Sequence, residues 1–76
     1  MSKYSLVGQN GNAYALMGYT ANVLKKEGLE DLKDAMFKEA TSGDYYNLIA
    51  VCDKYIDMAN AKAVENGYEE DCNDDF

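Results

Sequence analysis

The stretch Val7-Gly8-Gln9-Asn10-Gly11-Asn12-Ala13 divides the chain into a short segment with β-favouring residues and a longer part with helical spacing. Its two glycines permit backbone conformations that other residues avoid. Asn12 is a natural N-cap, and the pattern that follows predicts a helix that ends near Lys25 and Lys26 and is closed by Gly28. The positions that carry the helical spacing are Ala13, Leu16, Met17, Thr20, Val23 and Leu24.

A glycine lies in the middle of this predicted helix, at Gly18. A glycine there costs about 1 kcal/mol relative to alanine, which favours a position where the missing side chain gives room to a neighbour. We expect close packing against another helix, with contact to a ligand as the alternative.

On the N-terminal side, residues 3–7 read Lys-Tyr-Ser-Leu-Val, with partial alternation and residues that favour strands. They predict a short β-strand that ends at Gly8. Because a lone strand cannot satisfy its backbone hydrogen bonds, it needs a partner from later in the chain or from a second copy. At 76 residues a single core is barely sufficient, which also favours a homo-oligomer.

Two further helices are predicted downstream. The second has its apolar positions at Leu29, Leu32, Met36 and Ala40 and ends before the turn Thr41-Ser42-Gly43-Asp44. The third begins about Asp44, with apolar positions at Tyr45, Leu48, Ile49, Cys52, Ile56 and Ala59. Residues 57–67 either extend this helix, as their alanine content favours, or turn extended. The predicted fold class is mainly α: one small domain over residues 1–67, a strand followed by three helices (β-α-α-α), completed by oligomerisation.

Charge is distributed unevenly along the chain, whose formal net charge is -7. All seven lysines precede residue 68, whereas five of the 14 acids lie in the last nine residues. Such a negative field disfavours nucleic acid and membranes and favours a protein partner with a basic surface. We predict that residues 68–76 form a flexible acidic tail that contacts this partner through Glu69, Glu70, Asp71, Asp74, Asp75 and Phe76. A merely solvated terminus is the simpler alternative.

The residue types that most often carry catalysis are missing. Every basic residue is lysine, and the sequence contains no histidine or arginine. The chain therefore lacks the commonest general base and metal ligand, as well as the bidentate clamp for phosphoryl groups. It also lacks the aspartate-rich loop that binds calcium. We expect a protein that is not an enzyme and holds no metal or cofactor.

The sequence contains no signal peptide and no apolar run long enough to span a bilayer, which predicts a cytoplasmic location. Its two cysteines, Cys52 and Cys72, are then expected to be reduced. Cys52 occupies an apolar helical position and is expected to be an ordinary core residue.

Two segments are candidate binding sites. The first is the glycine-asparagine loop, whose candidate residues are Gly8, Asn10, Gly11 and Asn12. Its simplest role is a turn and a helix cap, but the N–H groups at a helix start also suit a phosphate or a partner's acidic group. Positive charge for such a ligand would come from lysines of another copy, namely Lys3, Lys25 or Lys26.

The second candidate site lies at the start of the third helix. Asp44 is most simply its cap, while adjacent tyrosines project in different directions, so we expect Tyr45 to pack inward and Tyr46 to face a ligand or partner. The chain has seven tyrosines, a residue type that is enriched at interfaces.

Two segments resemble parts of a group of very short, mostly uncharacterised bacteriophage proteins. They are Leu6-Val7-Gly8-Gln9-Asn10-Gly11-Asn12-Ala13-Tyr14-Ala15-Leu16-Met17-Gly18 and, downstream, Glu39-Ala40-Thr41-Ser42-Gly43-Asp44-Tyr45-Tyr46-Asn47-Leu48. The resemblance extends over residues 4–58, and the long acidic tail departs from it. It implies a phage accessory protein, a class that often consists of non-enzymatic antagonists of host systems.

The leading hypothesis is therefore a non-enzymatic phage accessory protein that binds and inhibits a host protein, such as a defence factor or a nucleic-acid enzyme, in the cytoplasm of an infected bacterium. The alternative is an oligomeric sponge that sequesters an anionic nucleotide-type signalling molecule at the glycine-asparagine loop.

Overall fold

The computed structural model describes residues 3–67, which form three α-helices. They are α1 (Ala13–Lys26), α2 (Lys33–Ala40) and α3 (Tyr45–Glu65), and a short 3-10 turn (Glu30–Leu32) leads into α2. The prediction of a mainly helical fold is confirmed. Of the two alternatives for residues 57–67, helical extension is correct, because α3 continues to Glu65. The predictions for residues 68–76 lie outside the described part of the chain.

Local signals fix both ends of α1. The side chain of Asn12 accepts hydrogen bonds from the N–H groups of Tyr14 (2.9 Å) and Ala15 (3.4 Å), as an N-cap should. At the other end Gly28 has a φ of 76°, and the next N–H, that of Leu29, donates to the carbonyl of Leu24 at 2.8 Å. This is the Schellman arrangement, in which a residue with positive φ closes the last turn.

The predicted N-terminal strand is wrong, since residues 3–67 contain no strand. A side chain of α3 satisfies the backbone of Tyr4 instead. The Tyr4 N–H donates to Asn60 Oδ1 at 2.8 Å, and Asn60 Nδ2 donates to the Tyr4 carbonyl at 3.0 Å. One carboxamide thus supplies the acceptor and the donor that a neighbouring strand would have supplied. Tyr4 therefore needs no strand from a second copy to satisfy its backbone.

The core lies between α3 and the two shorter helices, and Tyr4 closes it from the N-terminal side. Its largest fully buried side chains are Thr20, Val23, Leu24, Met36, Cys52 and Ile56. The hydroxyl of Thr20 donates to the carbonyl of Leu16 at 2.8 Å, so this polar side chain is satisfied inside the core. Cys52 is a fully buried free thiol, and burial raises its pKa, which confirms its prediction as a core residue.

Gly18 does not pack against another helix within residues 3–67. It lies on the exposed face of α1, and a Cβ placed there would have no neighbouring atom within 4 Å. The expectation of close helix packing at this glycine is wrong within the described chain.

Helices α1 and α3 begin at the same end of the molecule and finish at the other. Tyr45, the first residue of α3, bonds to Gly11 just before α1, while Asn66 after α3 bonds to Glu27 just after α1. Residues near the two helix starts are therefore neighbours, as are residues near the two helix ends. None of the helices within residues 3–67 is both long and apolar enough to cross a membrane.

Candidate functional site

The two candidate segments predicted from the sequence meet in space. The hydroxyl of Tyr45 donates to the carbonyl of Gly11, 34 positions earlier in the chain. This contact brings the start of α1 beside the start of α3. We call this region the tyrosine end and define it as Gly11, Asn12, Tyr14, Asp44, Tyr45 and Tyr46.

Polar side chains in the glycine-asparagine loop and at the start of α3 form hydrogen bonds with the backbone. Asn10 Oδ1 accepts from the N–H of Asn12 at 2.9 Å, and Asp44 Oδ1 accepts from the N–H of Asn47 at 2.9 Å. Gly8 has a φ of 86°, a conformation that favours glycine. Because Asn12 also caps α1, the turn-and-cap role expected for this loop is the one its hydrogen bonds show. The N–H groups of residues 14 and 15 are thereby already occupied.

The tyrosine end exposes aromatic side chains to solvent. Tyr14 is 81% exposed and Tyr46 is 78% exposed, the latter as predicted. Tyr45, expected to pack inward, is instead 43% exposed and lies edge-to-face against Tyr46 with ring centroids 6.3 Å apart. Tyr14 is the member of this group that sequence reasoning did not single out; its place two residues after the cap, on the polar face of α1, was the available signal.

A shallow cavity of about 370 Å³ lies beside these rings. Its walls are Ala13, Tyr14, Met17, Ala40, Thr41, Gly43, Asp44, Tyr45 and Leu48. The carboxylate of Asp44 is the one charged side chain among these walls, so the local electrostatics disfavour an anion in this cavity.

Lys25 and Lys26 are not part of the tyrosine end. They lie in the last turn of the 14-residue α1, about 20 Å from its start at 1.5 Å per residue. There they line a larger cavity of about 760 Å³, which we call the lysine groove; its other residues are Lys3, Tyr4, Tyr19, Asn22 and Val23. Within one chain the structure therefore separates the predicted lysines from the glycine-asparagine loop.

A buried acid, Glu27, bonds to Lys3 and Tyr4 in the wall of the lysine groove. The sequence did not indicate this role for Glu27. Its carboxylate accepts hydrogen bonds from the Tyr4 hydroxyl, from Lys3 Nζ (3.0 Å) and from Asn66 Nδ2 (3.2 Å). Only 4% of the Glu27 side chain is exposed. We call these four residues the Glu27 cluster.

The Glu27 cluster shifts the ionisation of its members. The hydrogen bonds from Tyr4 and then Lys3 lower the pKa of Glu27 below its usual range, although burial opposes this. The bond to Glu27 raises the pKa of Lys3, and burial raises the pKa of Tyr4. At neutral pH the cluster consequently holds a carboxylate, an ammonium group and a neutral phenol.

A second cluster, which also combines a glutamate with a lysine and a tyrosine, joins α2 to α3. Glu39 accepts hydrogen bonds from Lys54 Nζ at 2.6 Å and from the Tyr55 hydroxyl at 2.7 Å, and both bonds lower its pKa. We call these residues the Glu39 cluster.

Within residues 3–67, no group of three or more histidine, cysteine, aspartate or glutamate side chains is placed to hold a metal ion. Comparisons with protein-family models, with curated proteins and with solved structures find no match.

Proposed function

We propose that this protein is a non-enzymatic phage accessory protein that binds a host protein and inhibits it. The observation that carries the proposal is the tyrosine end, where Tyr14 and Tyr46 are largely exposed beside the partly exposed Tyr45. Exposed aromatic side chains that adjoin one another are a feature of protein interaction surfaces.

The backbone beneath these rings favours binding. Both helix starts are capped by side chains, and the Tyr45 hydroxyl ties them together. Rings held on such a rigid base lose little conformational entropy when a partner covers them. Tyrosine is also among the residue types that contribute most to binding energy at interfaces.

The net charge of -7 favours a basic partner. We propose that such a host protein, a defence factor or a nucleic-acid enzyme in the cytoplasm of an infected bacterium, is the target. The proposed contact residues are those of the tyrosine end, supplemented by the acidic residues Glu69, Glu70, Asp71, Asp74 and Asp75 and by Phe76.

The proposal is tested by affinity capture from host lysate with quantitative mass spectrometry. The wild type should retain a host protein that the double variant Tyr14→Ala, Tyr46→Ala loses by about tenfold or more, since interface tyrosines can each contribute about 2 kcal/mol. The retained protein is then purified, and its own activity should fall when the wild-type chain is added.

The matched control removes exposed apolar side chains elsewhere on the surface. Met58 and Val64 are 40% and 45% exposed on α3, and the variant Met58→Ala, Val64→Ala should capture the target as well as the wild type does. If both double variants retain the same host proteins, the tyrosine end is not the binding surface and the proposal fails.

The alternative proposal is an oligomeric sponge for an anionic nucleotide-type signal at the glycine-asparagine loop. The cavity beside Tyr14 and Tyr45 is in its favour, because aromatic rings can stack on a base. Asp44 and the occupied N–H groups of residues 14 and 15 weigh against it. Thermal unfolding with a panel of nucleotides separates the two proposals, since ligand at a hundredfold its Kd stabilises by about 2.7 kcal/mol. Sedimentation analysis of the same sample would test the proposed homo-oligomer.

A further inference from the structure

The lysine groove is a basic surface on an acidic protein. Three of the chain's seven lysines, Lys3, Lys25 and Lys26, line this one cavity. The C-terminal end of a helix favours lysines in its last turn, which accounts for Lys25 and Lys26. Lys3 comes from the segment before α1, lines the same cavity and is held there by its ion pair with Glu27. The positive charge of the groove that Glu27 does not compensate is therefore that of Lys25 and Lys26. Neither Lys25 nor Lys26 forms an ion pair with another residue of the range 3–67.

The described chain ends beside this groove. Asn66, the residue after α3, donates to Glu27 Oε1, while Lys3 on the groove wall donates to Glu27 Oε2. A single carboxylate therefore connects the groove to the last residues before position 68. The chain that follows Gly67 starts from the same end of the molecule as the groove.

We propose that the acidic segment of residues 68–76 docks into the lysine groove of its own chain. The segment carries Glu69, Glu70, Asp71, Asp74 and Asp75, and it contains no lysine. Its five negative charges complement the positive charges of the groove. The inference goes beyond the proposed function, because it gives the tail a receptor within the protein that a basic partner would have to displace.

The distances allow this docking. Position 75 lies eight residues beyond Gly67, so its reach is about 28 Å at 3.5 Å per residue. The groove follows α1 from Tyr19 to Lys26, which is about 10 Å along the helix. A segment of this length can therefore pass over all three lysines without extending fully.

Because the acidic segment is covalently joined to the groove, weak electrostatic attraction between the two is sufficient for docking. Ion pairs between exposed side chains are individually weak, so a free acidic peptide would bind such a groove poorly. A segment joined to the groove by a few residues has an effective concentration in the millimolar range. This difference favours the chain's own tail over a separate acidic ligand as the occupant.

The test uses the cysteine inside the segment. A nitroxide is attached to Cys72 of the full-length ¹⁵N-labelled protein, while Cys52 is protected by its complete burial and by the raised pKa of its thiol. Mass spectrometry checks that one label is present. Amide signals are then compared between the oxidised and reduced nitroxide, at Asn22, Lys25 and Lys26 in the groove and at Tyr46 and Asn47 at the tyrosine end.

At an ionic strength of about 0.01 M, the groove amides should lose about twofold more intensity than those of the tyrosine end. At about 1 M, where the Debye length is about 3 Å, the difference should vanish. Equal broadening at the two ends, or a pattern that salt leaves unchanged, would overturn the proposal.

A pair of matched variants tests the lysines themselves. Lys25→Gln, Lys26→Gln should abolish the groove broadening, whereas Lys33→Gln, Lys38→Gln, which removes the same charge from α2, should preserve it. Mixing nitroxide-labelled ¹⁴N protein with unlabelled ¹⁵N protein identifies broadening between copies. If the broadening appears in that mixture, or survives Lys25→Gln, Lys26→Gln, the tail does not dock into its own groove.

Discussion

The Glu27 and Glu39 clusters have the same chemistry in two different places. Each contains a glutamate that accepts hydrogen bonds from a tyrosine hydroxyl and a lysine, and the lysine and tyrosine are adjacent in sequence. In each the lysine ammonium also lies over the tyrosine ring, 5.3 Å from the centroid in the Lys3–Tyr4 pair and 5.0 Å in the Lys54–Tyr55 pair. The tyrosines are buried in both clusters.

The clusters differ in the solvent exposure of the carboxylate. The Glu27 side chain is 4% exposed and that of Glu39 is 43% exposed. If its partners are lost, Glu39 can recover hydrogen bonds from water, but Glu27 cannot. We therefore expect the exposure of the acid, and not the identity of its partners, to set how much each cluster stabilises the fold.

The largest expected effect comes from removing the buried acid. Glu27→Ala leaves the Tyr4 hydroxyl without its acceptor and loses three hydrogen bonds, so the free energy of unfolding should fall by about 3 kcal/mol. Urea unfolding at pH 7 measures the change.

The exposed counterpart is the control. Glu39→Ala also removes the acceptor of the Tyr55 hydroxyl, but it should lower the free energy of unfolding by less, because the Glu39 side chain is 43% exposed and water can take the place of its carboxylate. Equal losses in the two variants would show that the exposure of the acid does not govern the stability of these clusters.

The second largest loss of stability should come from removing the tyrosine hydroxyls. Tyr4→Phe deprives the buried Glu27 carboxylate of one donor and should cost about 2 kcal/mol, within the range for hydrogen bonds to charged groups. Tyr55→Phe removes the same group from the exposed Glu39 and should cost clearly less. Thermal unfolding of both variants beside the wild type decides the point; a larger loss for Tyr55→Phe would contradict the comparison.

The helices could be predicted from the sequence because their signals are local. Asn12, Gly28 and Asp44 act on residues within a turn of themselves, and the structure uses them as predicted. The N-terminal strand could not be assessed locally. The backbone N–H and carbonyl of Tyr4 bond to Asn60, 56 positions later, and no pattern near Tyr4 indicates that.

The candidate site was predictable to a similar degree. The segments around Gly11 and Asp44 were identified separately, but the bond between Tyr45 and Gly11 depends on how the helices pack. Glu27 follows two lysines at a helix end, a position typical of a solvated acid. In the structure it is buried and accepts a hydrogen bond from a tyrosine 23 positions earlier. The separation of the lysines from the loop, in contrast, follows from helix length alone.

A third and smaller effect is the loss of folding stability at low pH. The pKa of Glu27 is lower in the folded protein than in the unfolded chain, so its contribution to stability is complete above the ordinary glutamate pKa of about 4.3. That contribution is lost as the pH falls from there through the lowered value. Since the pKa of Glu39 is lowered as well, Glu27→Gln and Glu39→Gln should each flatten the fall in stability between about pH 5 and pH 2. Urea midpoints measured across this range test it, and a Glu27→Gln slope equal to that of the wild type would contradict the role given to Glu27.

The smallest effects should come from the lysines, and here the two clusters should agree. The Lys3 side chain is 41% exposed and that of Lys54 is 55% exposed, so water can replace the ion pair of either one. Lys3→Gln and Lys54→Gln should each shift the unfolding midpoint less than Tyr4→Phe does, and by similar amounts. High salt should reduce both shifts, because screening weakens exposed pairs in the wild type as well. A Lys3→Gln effect as large as that of Glu27→Ala would mean that the ammonium group, and not the tyrosine hydroxyl, compensates the buried carboxylate.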